Sequence, residues 1–318
     1  MLIPKFVEKM TSIIPVKNFK KIQIALLILI LPFLTISCLD LSDENLSLDP
    51  IVDYEWPREY YEGVWGSSEN DIFIVGTNST ILHYDGQEWA VMEHPLDSNL
   101  RLNDVWGSAQ DDVFVVGEGG TILHYNGTGW EHMDLEMRTR LNSVWGTSSD
   151  NVFVAGADGT LLHFNGQEWN NVSIPVSDEI FAVWGTSAEN IWAGTAGGNL
   201  VNFNGSEWQI KESGLPAIFK IWGASANHIF AVGSGGFITK YDGSEWTEMN
   251  SDTTRGLYGI WGSGTNTAYA AGLDGRLLRY NGEYWRQIQS FSTENLKDIW
   301  GFRDVRYVVG GFGAIFEI

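Results

Sequence analysis

Three histidines, His83, His124 and His163, recur 41 and 39 residues apart, and imidazole nitrogens at a regular interval are the first groups in this chain that could hold a metal. A shared zinc would need each ring nitrogen ~2 Å from the ion. Side chains at equivalent places on packed sheets lie ~10 Å apart. The histidines are therefore read as products of a repeat, and later copies carry Asn202, Lys240, Arg279 and Glu317 at that place. Acidic pairs such as Asp111-Asp112 lack the alternating spacing of a calcium loop. Cys38 is the only cysteine, which excludes an internal disulfide and a cysteine-built metal site. No metal and no cofactor are expected.

The repeat that carries the histidines runs through most of the chain. Leu-x-x-Val-Trp-Gly recurs with its Trp at 65, 106, 145, 184, 222, 261 and 300, spaced by 41, 39, 39, 38, 39 and 39 residues. Seven copies of a unit near 40 residues, filled with short strand signals and turn residues, predict an all-β, seven-bladed β-propeller with one four-stranded blade per copy. In the second copy the first strand is Leu-x-x-Val-Trp, ended by Gly107 and Ser108. The second strand is the apolar run from Val113 to Val116, and the third runs from Thr121 to Tyr125. Asn126-Gly127 then reads as a two-residue type I′ hairpin, leading to a fourth strand with Trp130. Asn/Asp-Gly pairs at 85, 165, 204, 242 and 281 repeat this arrangement. All fifteen tryptophans fall on repeat positions, so carbohydrate stacking is not needed to explain them.

The seventh copy ends at Ile318, after its third strand. Asp53-Tyr54-Glu55-Trp56-Pro57 matches a Trp-bearing fourth strand, and the N-terminal strand is expected to close the ring. Trp56 precedes its Trp-Gly by 9 residues, against 14 to 17 elsewhere.

Ahead of the repeats, lysines 17, 20 and 21 precede the uncharged run 22–36, too short and too quickly followed by acids for a secure membrane span. Leu34-Thr35-Ile36-Ser37-Cys38 resembles a bacterial lipobox, with Thr35 departing from the usual Leu. The expected order is a lipoprotein signal peptide (1–37), an acidic tether (38–52) beginning at lipidated Cys38, and the propeller (53–318). The resemblance implies a palmitate-bearing, extracytoplasmic protein held to the cell envelope.

Residues 1–37 hold five Lys and one Glu, so the remainder has 14 Lys plus Arg against 39 Asp plus Glu, a net charge of −25. Nucleic-acid affinity comes mainly from neutralising phosphates, so no nucleic-acid partner is expected. The same charge suits a soluble, monomeric extracytoplasmic domain.

The pattern Val-Trp-Gly-Ser, Val-Phe-Val-Val-Gly, Gly-Thr-Ile-Leu-His-Tyr-Asn-Gly, Trp resembles a repeat of secreted bacterial propellers over Trp56 to Ile318. It is similar, more distantly, to the photosystem II assembly factor propellers. Those are said to use a basic patch, whereas the mature chain here has ten Arg and four Lys. The resemblance therefore implies the fold and not the role. Sialidase-like propellers carry an Asp-box at the same hairpin. Here Asp85-Gly86-Gln87-Glu88-Trp89 is one residue shorter and lacks its Ser and Thr. That chemistry would need an arginine cluster with a Tyr-Glu pair, and Arg101, Arg140 and Arg255 with Tyr61 and Glu62 occupy comparable places. A glycan-active hydrolase or lyase is thus the alternative reading.

The repeats serve as their own comparison for locating a binding face. One residue before each Trp of Trp-Gly stands Val or Ile without exception. Three residues before it stand Glu62, Asn103, Asn142, Phe181, Phe219, Tyr258 and Lys297. Variation beside fixed packing positions marks these seven as the candidate ligand-binding ring at the channel mouth. The expected function is a non-catalytic binding or interaction module for a protein or glycan, with an envelope assembly factor as a further alternative.

Overall fold

Short apolar runs, broken every few residues by Gly, Asn or Asp, drive each repeat into a small antiparallel sheet. The structure is a computed structural model that describes residues 58–318, apart from 98, 289 and 291. The expected signal peptide, Cys38, the tether and the strand at Trp56 lie outside the described residues. Six four-stranded sheets follow in chain order, over 61–91, 102–132, 141–171, 180–212, 218–249 and 257–287. A seventh sheet comprises Leu296–Phe302, Val305–Gly310 and Ile315–Glu317. The first strands of successive blades are neighbours, and that of blade one also packs on that of blade seven, so the ring closes into a seven-bladed propeller.

Blade two shows the local logic. Its strands are Leu102–Ala109, Asp112–Gly117, Ile122–Tyr125 and Trp130–His132. Two expectations are corrected. First, the inner strand does not stop at Gly107: Gly107 pairs with Val113, and the strand runs to Ala109, opposite Asp112. That glycine is an in-strand packing residue. A Cβ on it would lie 2.6 Å from Cη2 of Trp65, because the indole of each Trp-Gly lies against the Gly of the next blade. Second, the hairpin is not a two-residue turn. Tyr125 pairs with Trp130, leaving a four-residue loop in which only Gly127 takes a positive φ, 84°. The Asn126 carboxamide oxygen accepts from the backbone N–H of Thr128 and Gly129, so the side chain holds the turn. The aspartates at this place do the same, and the Ser244 hydroxyl with the Glu245 and Ser244 amides draws the Asp242 carboxyl down to about 2.

The core lies between blades. Seven buried clusters each join consecutive sheets, such as Phe73 and Val75 of blade one with Val105, Val113 and Val115 of blade two. Burying a side chain of that size contributes roughly 1.5–3 kcal/mol, available only when the neighbouring blade is present.

Candidate functional site at the channel mouth

Position within the inner strand decides where each side chain goes. Four residues before the Trp, Tyr61, Leu102, Leu141, Ile180, Ile218, Leu257 and Leu296 are fully buried between blades. The next position, the variable one, is half-buried in all seven blades. All seven variable residues line one cavity of about 330 Å³, together with Arg101, Arg140 and Lys220.

The cavity is two-sided. Blades four to six contribute an aromatic wall. Phe219 and Tyr258 stack in parallel with centroids 4.7 Å apart, and Phe181 meets Phe219 edge-on at 5.5 Å. The Lys297 ammonium sits 4.6 Å from the Tyr258 ring centroid. Burial, and then the Glu62 charge, push the Tyr258 phenol above its ordinary range. Blades one to three contribute polar groups. The Glu62 carboxylate bridges Lys297 at 3.5 Å and Arg101 at 3.7 Å. Arg140 pairs with Glu179, which also accepts from Asn142 Nδ2 at 2.8 Å. The carboxylates lie behind their partners: Arg101 and Arg140 are about half exposed, Glu62 and Glu179 far less. A ligand entering the funnel therefore meets cations and aromatic faces first.

The two asparagines also have work within the fold. Asn103 Nδ2 donates to the Leu141 carbonyl at 2.7 Å, and Asn142 Nδ2 to the Ile180 carbonyl at 3.0 Å. Each lashes its blade to the next, leaving the amide oxygen as the group free to meet a ligand.

Below the mouth the funnel is closed by a charged spoke that the sequence reading missed. Lys220 Nζ reaches Asp104 Oδ1 at 3.0 Å and Asp298 Oδ2 at 3.3 Å, joining blade five to blades two and seven. Asp104 Oδ2 accepts from the Val144 amide and the Ser143 hydroxyl, and Asp298 Oδ2 from the Val64 amide. Beneath this spoke a second cavity of about 220 Å³ is walled by the Trp-Gly indoles. Burial alone would lower the Lys220 pKa, but the two carboxylates outweigh it and raise it. Burial pushes the Asp298 carboxyl up to about 6, opposed by Lys220 and assisted by the Asp104 charge. The signal was available: two residues before the Trp stand Gly63, Asp104, Ser143, Ala182, Lys220, Gly259 and Asp298, three charges among small residues.

The alternative constellations assemble only in part: Arg101, Arg140 and Glu62 share the mouth cavity, whereas Tyr61 and Arg255 do not line it. Tyr61 is fully buried in the core between blades seven and one, and burial raises its pKa well above the phenol range. Arg255 pairs with Asp274 at 2.7 Å and does not line the cavity. His83, His124 and His163 each bond a residue at the start of the second strand, Asp71, Asp112 or Asn151, at 2.7 Å, and stack on a phenylalanine. No metal-binding group of three or more His, Cys, Asp or Glu occurs among the described residues.

No family model matches the chain, and no curated protein matches it. Among solved structures, the chain is similar to YCF48 bound to D1 peptide, with 18% identity, a TM-score of 0.69, and 85% of this chain and 99% of that one covered. YCF48 from Cyanidioschyzon merolae is similar at 17% identity and a TM-score of 0.67, over 82% and 95% of the two chains. The C-terminal WD40 domain of Sif2 follows at 11% identity and a TM-score of 0.65, over 85% and 97%. At these identities the likeness shows the fold, a seven-bladed propeller.

Proposed function

We propose that this protein is a lipid-anchored, extracytoplasmic propeller that binds a segment of a protein partner, or a small polar ligand, at the channel mouth without transforming it. The observation that supports the binding reading is the convergence of all seven variable residues on one funnel, with an aromatic wall facing a rim of exposed cations; the anchor rests on the lipobox-like residues before Cys38. Aromatic faces offer contact area at low entropic cost, and fixed cations orient an acceptor or carboxylate. The peptide seen on YCF48 lends support from a protein of the same fold.

The test is to replace Phe181, Phe219 and Tyr258 together by Ala in the full chain and compare retention of detergent-solubilised envelope components. Loss of saturable retention, with an unchanged far-ultraviolet spectrum and no released product, is the expected result. Undiminished retention by the folded triple variant refutes the mouth site, and turnover of a glycan refutes the non-catalytic reading.

A further inference from the structure

Non-glycine residues adopt a positive φ at eight described positions, and their side chains are Asn, Ser, Glu, Asp or Arg everywhere except at Phe312. Phe312 is the middle residue of the turn between the second and third strands of blade seven, Gly311–Gly313, with φ 54° and ψ 36°. In blades one, two, three, five and six the equivalent place holds Asn78, Gly119, Asp158, Gly235 and Asp274, all with positive φ. Those types enter the left-handed region at small cost, whereas a bulky side chain there is strained. Burial does not offset the strain. Phe312 is 61% exposed, the most exposed of the large hydrophobic residues, and its ring contact is with Tyr60, itself 38% exposed, at 5.0 Å. Singly exposed apolar side chains are ordinary, and the others of this kind, Val91, Ile210 and Tyr284, carry no such strain.

The pair stands at the mouth end of the propeller. Tyr60 directly precedes the first strand of blade one, in which Glu62 lines the mouth cavity. Its ring lies over Gly311, where a Cβ would be 3.3 Å from Tyr60 Cε1. The Gly313 N–H donates to the Glu59 carbonyl at 2.7 Å, which fixes the turn against the entry to blade one. Lys297, from the blade-seven side of the same seam, also lines the cavity. The aromatic pair is thus one step outside the funnel, on the seam between blades seven and one. Two carboxylates border it: Glu59, which accepts from the Thr77 hydroxyl and Asn78 Nδ2, and Glu294, whose Oε2 would lie 3.5 Å from a Cβ on Gly311.

We infer that Phe312 and Tyr60 form a docking patch for a protein partner, which sets a large apolar side chain, with a Lys or Arg beside it, on this pair while its chain continues into the mouth. The inference rests on the mouth as a binding site and narrows its occupant, because a small ligand filling a cavity of about 330 Å³ would not reach the seam outside it. Aromatic anchors bordered by polar and charged groups are what protein interfaces use. A lipid surface fits less well, since anionic headgroups would meet Glu59 and Glu294 on a chain of net charge −21.

The first test needs no partner. Phe312→Asn places the blade-one residue type in the turn, and the melting temperature should stay equal or rise; a fall would show that the ring serves the fold and overturn the patch. The second test incorporates p-benzoylphenylalanine in place of Phe312, Phe181 or Tyr284 in the full chain, irradiates the cells that make it, and identifies the adducts. Tyr284 is the control, 51% exposed in a hairpin at the opposite end of the strands. Positions 312 and 181 should cross-link to the same protein, and position 284 should not. With that protein purified, Phe312→Asn combined with Tyr60→Ala should weaken binding by about tenfold. A protein adduct at 181 with none at 312 overturns the patch and leaves the mouth standing, whereas an adduct at 312 alone supports the patch and refutes the mouth. Lipid adducts alone at 312, or no loss of affinity in the double variant, overturn the patch.

Discussion

The indole of Trp300 occupies the space that a side chain on Gly66 would need: a Cβ there would lie 2.8 Å from Cη2 of Trp300 and 2.6 Å from the Asp71 carbonyl oxygen. This contact joins the last blade to the first, and the same pairing recurs at the other seams. Gly66→Ala should therefore open the closing seam and cost about 1–3 kcal/mol, measured by denaturant unfolding. Gly264, with nothing within 4 Å of a Cβ, is the control, and Gly264→Ala should be nearly neutral.

Lys220 is the only cation on the channel spoke, and Asp104 and Asp298 are nearly fully buried around it. Lys220→Ala leaves both carboxylates without a counter-charge and should cost about 3–5 kcal/mol. Adding Asp104→Asn and Asp298→Asn to that variant should recover part of the loss, because neutral amides are cheaper to bury than lone charges. A Lys220→Ala variant as stable as wild type would show that the spoke contributes nothing.

Asp298 gives a stability signal opposite in sign to that of most carboxylates. Its folded-state pKa, raised to about 6 from 3.8, means that the folded chain holds a proton between these values that the unfolded chain has released. Its contribution favours folding below pH 4 and is lost as pH rises through 6. Unfolding measured from pH 4 to 7 should show that Asp298→Asn removes a downward component of the wild-type profile. Carboxyl ¹³C NMR of Asp298 should give a midpoint near 6.

Ile315–Glu317 is the outer strand of the seventh sheet among the described residues. If residues 53–57 supply its partner, deleting 51–57 should lower the melting temperature, with a loss of several kcal/mol from ladder bonds and Trp56 burial. An unchanged melting temperature would show that the contacts of Trp300 with Gly66 suffice to close the ring.

Cys38→Ser should abolish incorporation of labelled fatty acid and release the protein from the membrane fraction. Continued membrane retention of the unlabelled variant would refute the lipid anchor.

The blade was legible from residues 102–130 because its instructions are local. Short apolar runs set the strands, and an Asn or Asp whose side chain caps its own turn sets the hairpin. Even there, sequence placed a two-residue turn where the Asn126 side chain stabilises a four-residue loop, since the backbone geometry depends on the register of Tyr125 against Trp130. The ring at the mouth was also legible, because repetition fixes the neighbours of each variable position and so fixes which way it faces. The Asp104–Lys220–Asp298 spoke was decided only by closure of the ring, which brings together charges separated by 116 and 78 residues. Local sequence dictates elements and faces, whereas contacts between blades depend on how rigid sheets settle against one another, which no single repeat encodes.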